Sequence, residues 1–182
     1  ASSGAIEHVG AWMAGGKPPF GFKPEWRDAI QARQQAYRDW VKAFGLGHCL
    51  PGAKHPLGWH HQLVCRGTAL NFVGLNSAWL AGDKHDTQNL LLTEDQISHL
   101  LFDGNGKRLD SPVVVMLHHP FRDIADGETA HRLLAESGVG LVLHGHLHDP
   151  NFERWQQPDR SGPFQAAAGC LYLSNTYPNC FQ

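Results

Sequence analysis

S-P-V-V-V-M-L-H-H-P at 111–120 and G-V-G-L-V-L-H-G-H-L-H-D-P at 138–150 decide how this chain folds. Each is an apolar run of strand length that stops at a histidine cluster and then a proline. Two buried strands therefore deliver imidazoles where their chains leave the sheet. The segment between them, 123–138, has helical spacing with Leu133 and Leu134 inward, which predicts a strand–helix–strand unit with parallel strands and a right-handed crossover. Ligands of such sheets gather outside the carboxyl ends of the strands, and His118, His119, His144, His146 and His148 all fall there. Residues two apart in an extended segment project to one side, so His146 and His148 are expected to converge while Leu147 points away. Gly145 is expected to give the backbone room to turn.

Working outward, short strands are expected at 152–156, 164–168 and 170–173, joined by P-D-R-S-G-P and Gly169. Upstream, 60–66 and 69–75 read as a hairpin that places His60 and His61 on opposite faces. Thr93 and Gln96 form a capping-box pattern opening a helix with Ile97, Leu100 and Leu101 inward. Pro24–Phe44 reads as one longer helix, and its stripe of Trp26, Ile30, Tyr37, Trp40, Val41 and Phe44 is expected to face the core. His8, His48 and His55 lie in loops and are expected to be solvated. Strands and helices are mixed, so the fold class is α/β or α+β.

Composition narrows the function. The 182 residues, 42% hydrophobic and 18% charged, suit one soluble domain. A net charge of -2 without any block of like charges argues against a nucleic-acid surface. No run of eighteen apolar residues exists, and residues 1–10 lack a basic patch followed by an apolar run, so a membrane partner is not expected and the expected location is cytoplasmic. Cys49, Cys65, Cys170 and Cys180 form no C-x-x-C pair and are expected to be reduced core thiols. Imidazoles suit zinc, iron, manganese, nickel or copper, so the clustered histidines point to a metal without naming it.

H-H-P after V-V-V-M-L, followed by G-H-L-H after G-L-V-L, resembles the last two sequence blocks of the calcineurin-like metallophosphoesterases. L-N-S-A-W at 75–79, L-T-E-D-Q at 92–96, A-G-C-L-Y-L-S-N at 168–175 and Y-P-N-C-F at 177–181 are similar too. The resemblance implies a two-sheet β-sandwich flanked by helices. It also implies a dinuclear centre of divalent or trivalent ions (Mn, Fe or Zn) that hydrolyses a phosphomonoester or phosphodiester. Carried over by position, it makes His118 a metal ligand and His146 and His148 ligands to the two different ions. His119 is then the intervening residue of H-x-P and not a ligand, and Arg122 is a candidate phosphate contact.

The family's earlier blocks, D-x-H, G-D-x-x-D and G-N-H-D or G-N-H-E, are not matched in place. G-D-K-H-D at 82–86 has the letters of two of them but follows L-N-S-A-W, so Asp83, His85 and Asp86 read as a solvated loop. The expectation is an incomplete phosphoesterase domain that begins just after the G-N-H-D block of a longer protein and is cut at its end as well. Such a chain binds one metal or none by itself and leaves a sheet edge or apolar face open to self-association or to a complementing chain. Two further readings stand beside the phosphoesterase: a non-catalytic phosphoesterase-like binding or regulatory module, and a mononuclear three-histidine hydrolase using His118, His146 and His148.

Overall fold

In the computed structural model the two apolar runs are adjacent parallel strands, β3 (Val113–Leu117) and β4 (Leu141–His148), with Val114 opposite Leu141 and Leu117 opposite His144. The structure describes residues 12–13, 16–18, 21–52, 57–83, 85–103, 105–110, 112–157 and 160–169. His8, His55, Cys170, Cys180 and the strand expected at 170–173 lie outside them. Four further strands complete one mixed sheet: β1 (Gly58–Cys65), β2 (Thr68–Leu75), β5 (Asn151–Gln157) and β6 (Arg160–Gly169). The order is β1-β2-β3-β4-β6-β5, parallel through β2, β3, β4 and β6 and antiparallel at both edges. The expected hairpin is thus β1–β2, turning at Arg66–Gly67, both with left-handed φ as a two-residue turn between twisted strands requires.

Paired residues share a face, and the two faces differ sharply. Val73, Leu75, Val113, Val115, Leu117 and Val142 are buried on one of them. They pack against Ile97, Leu100 and Leu101 of α3 (Glu94–Leu101) and Ala130 and Leu134 of α4 (Gly127–Glu136), with Leu133 at the margin. Each of the buried valine, leucine and isoleucine side chains contributes roughly 1.5–3 kcal/mol by leaving water. On the opposite face Phe72, Val114 and Leu141 form one row and Met116 and Leu143 the next, and all are only half-buried. Phe164 and Phe152 extend that face at 39% and 62% exposure, stacked 5.3 Å apart. Parallel strands normally carry cover on both faces. Among the described residues only one face has it.

The crossover helix α4 begins later than Asp123, because Phe121–Asp123 first makes a 3-10 turn. Its N-terminal residue Asp126 locks the neighbouring helix: its carboxylate accepts the backbone N–H groups of Leu92 at 2.9 Å and Thr93 at 2.7 Å. Thr93 caps α3 as expected, its hydroxyl accepting from Gln96 N. The reciprocal half of the capping box is replaced: Gln96 donates to Leu92 O at 2.6 Å and accepts from Asn76 N at 2.5 Å, while Asp126 serves Thr93 N. That clamp holds Thr93, a β-branched residue, at a φ of 69°.

Two expectations need correction. Pro24–Phe44 is not one helix but two, α1 (Pro24–Arg33) and α2 (Gln35–Ala43), broken where Gln34 leaves helical ψ. Its aromatic stripe does not face the core. Val41 is buried, but Trp26, Tyr37, Trp40 and Phe44 are 43–66% exposed, and Tyr37, Trp40 and Phe44 pack along α2 on one another. Periodicity reported an amphipathic helix correctly, but it could not report whether a partner surface lies against it. The two described thiols are also not core residues: Cys65 ends an edge strand and is exposed, and Cys49 is half-buried.

His131 of α4 sits against this core, 4% exposed, stacked on Phe121 at 4.8 Å with Nε2 3.2 Å from the Gln165 amide nitrogen. Burial lowers its pKa to about 4. The unfolded chain therefore takes up a proton near pH 6.5 that the folded chain refuses, and stability falls as pH drops from there towards 4. The loss expected from this residue is at most about 3 kcal/mol, and His131→Gln should flatten the dependence in urea titrations run across that window. Asp126→Ala leaves two backbone donors without their carboxylate and should cost about 2–3 kcal/mol, read as a lower urea midpoint at unchanged slope.

Candidate metal centre

β3 ends at Leu117, and the chain bends at His118–His119 before Pro120. The bend is tied to β4 by a hydrogen bond from Gly145 N–H to His118 O of 3.1 Å. Beyond it β4 loses regular pairing with β6 between His144 and His148, and His146 and His148 take φ values of 71° and 59°. Left-handed φ in a non-glycine residue costs on the order of 1 kcal/mol or more and persists only where its surroundings impose it. The turning is therefore done by the two histidines and not by Gly145, where an added Cβ would meet only the His118 ring, at an ordinary 3.5 Å.

This backbone changes which imidazoles meet. His146 Nδ1 lies 3.4 Å from His118 Nε2. The His119 ring lies 4.7 Å, centre to centre, from both the His118 and the His146 ring. One ring nitrogen from each of His118, His119 and His146 lies within 4.8 Å of the other two, a cluster that could hold a metal ion. His148 is not one of these three. It still lies close enough to His118 to disfavour a positive charge there.

Ser77, on the loop after β2, positions His119. Both residues are buried, Ser77 Oγ lies 3.0 Å from His119 Nδ1, and the His119 backbone N–H donates to the same oxygen at 3.1 Å. With Nδ1 engaged, Nε2 is the nitrogen left for a cation, and a ligating histidine characteristically gives its other ring nitrogen to such a partner. The electrostatics agree. Burial, then His118 and His146, lower the pKa of His119 to about 4, against an opposing pull from Asp123 and Asp86. His118 is lowered by burial first and by His146 and His148 next. Both rings are thus held neutral with lone pairs available, the form a metal requires.

The remaining sequence candidates fall elsewhere. His144 is buried on the helix-covered face. His60 meets Asn71 at 2.8 Å, and His61 packs on His48 across the opposite face, as alternation predicts. Asp83 and Asp86 bind backbone N–H groups of their own loop, at His85 and at Gly82 and Asp83 respectively, although Asp86 also acts electrostatically on His119. Arg122 is exposed in the turn after Pro120. Sequence reasoning set His119 aside as a non-ligand and gave Ser77 no role. The available signal was the H-H doublet itself.

Removing the Ser77 hydroxyl frees the His119 ring without touching a ligand. Ser77→Ala should weaken zinc affinity about tenfold in competition with a chelating dye, while circular dichroism stays that of the parent. Comparison of this chain with protein-family models, with curated proteins and with solved structures finds no match.

Proposed function

We propose that this chain supplies the imidazole side of a metal centre that hydrolyses phosphoesters, the activity implied by its H-H-P and G-H-L-H segments. The observation that carries the reading is the 3.4 Å approach of His146 Nδ1 to His118 Nε2 at the carboxyl ends of two adjacent parallel strands. A bound cation would supply Lewis acidity and charge neutralisation at a phosphoryl oxygen. The chain's own part is to hold His118 neutral and His146 convergent with it, with His148 the ligand of a second ion. Manganese, iron and zinc are the ions that the resemblance implies. The half-buried apolar face of β2, β3 and β4 supports the sandwich expectation as well: it is the surface a second sheet would cover, supplied by a complementing chain or by self-association.

A mononuclear three-histidine hydrolase is the second reading, favoured by the presence of His119 in the cluster. Three imidazoles with an open position make a catalytic zinc site. The two readings differ in their third ligand. Metal content should be measured by elemental mass spectrometry on protein purified with manganese, iron and zinc present, together with turnover of a chromogenic phosphomonoester and phosphodiester. At least one metal per chain is expected, falling to background in His146→Ala. Loss of metal in His148→Ala with little change in His119→Ala supports the dinuclear phosphoesterase, and the reverse supports the mononuclear site. A parent protein that retains no metal would overturn both.

A further inference from the structure

The imidazole cluster opens on one side into a cavity of about 580 Å³ that reaches from His118 and Ser77 to the start of α2. Its floor is aromatic by construction. Trp59 of β1 pairs with Gly74 of β2, and a Cβ at Gly74 would come 2.2 Å from Trp59 Nε1, so only glycine lets the indole lie flat across the neighbouring strand. Met116 continues the apolar floor towards His118. Arg38 of α2 lines the same cavity. Arg33, which lines the cavity too, donates to the Ala81 carbonyl, but no described residue pairs with the guanidinium of Arg38, a half-buried residue.

A cation with no counter-charge among the described residues, in one cavity with a flat aromatic floor, is complementary to an anion that carries a ring. We propose that this cavity is the substrate pocket of the imidazole site and takes an anionic ester with a flat aromatic group. Arg38 pairs with an anionic oxygen and the Trp59 indole stacks on the ring. The inference rests on the phosphoesterase reading for the identity of the anion as a phosphate. The cavity has the size of a pocket for one small organic molecule, and its end at His118 places the ester bond beside the cluster.

Binding to metal-stripped protein separates this pocket from the metal centre. Calorimetric titration should show phenyl phosphate binding about tenfold more tightly than butyl phosphate, which has the charge without the ring. Arg38→Gln, a change on a helix surface, should weaken both ligands about tenfold, whereas Trp59→Leu should abolish only the preference for the ring. Equal binding of the two ligands by the parent protein, or affinities within about twofold of the parent in Arg38→Gln, would overturn the proposal. A protein that holds no metal yet binds phenyl phosphate through Arg38 keeps the pocket and removes the phosphoesterase reading. One that loads metal but ignores Arg38 does the opposite.

Discussion

The hydrogen bond from Gly145 N–H to the His118 carbonyl is the contact on which the rest of this site depends. Parallel pairing of β3 with β4 sets the two strands in register, but their ladder ends at Leu117 and His144. The Gly145–His118 bond extends the pairing by one step into the irregular region. Beyond it the positive φ values of His146 and His148 swing β4 out of extended geometry, and the His146 ring turns back onto His118. Two costs are accepted at that point: left-handed backbone in residues with a Cβ, and three imidazoles crowded together without a counter-charge among them. Both are concentrated at the strand ends, while the strands beneath obey ordinary packing rules.

What surrounds the cluster makes the crowding tolerable. Ser77 satisfies both the backbone N–H and the Nδ1 of His119 with a single oxygen, so a buried imidazole carries no unpaired polar atom on that side. Asp86 and Asp123 partly offset the repulsion that protonation of His119 would cause, though burial outweighs them and the ring stays neutral. His131 reaches the same state by another route, through stacking on Phe121 and a contact with Gln165, outside the imidazole cluster. A low imidazole pKa is thus shared by a packing residue and a site residue, and only convergence with other donors separates them.

The sequence made the parallel strand–helix–strand unit legible because its two apolar runs, its proline stops and its helical spacer are all local signals. The β1–β2 hairpin, the cap at Thr93 and the opposite facing of His60 and His61 were legible for the same reason. The third member of the cluster was not. Alternation pointed to His148 beside His146, whereas His119 enters the cluster through the bend at the end of β3 and the left-handed φ of His146, features no side-chain pattern encodes. The Ser77–His119 contact joins residues 42 apart, which a single sequence cannot show. The exposed stripe on α2 failed differently: its period was right, but burial is a property of the neighbour and not of the helix.

The open face of the sheet and the cavity at its end follow from one another. Helices α3 and α4 cover the face that carries Val73, Val115 and Val142, and leave the other to Phe72, Val114, Met116, Leu141 and Leu143. Along that second face the start of α2 approaches the sheet beside the ends of β2 and β3, where Arg38 comes to share a cavity with Trp59 and His118. A second layer laid over the central strands would bury the half-covered apolar rows without having to fill that cavity, since its lining already belongs to this chain. Water would then be excluded from the strands but not from the imidazole cluster, which divides a dry core from an accessible site at the carboxyl ends of the strands.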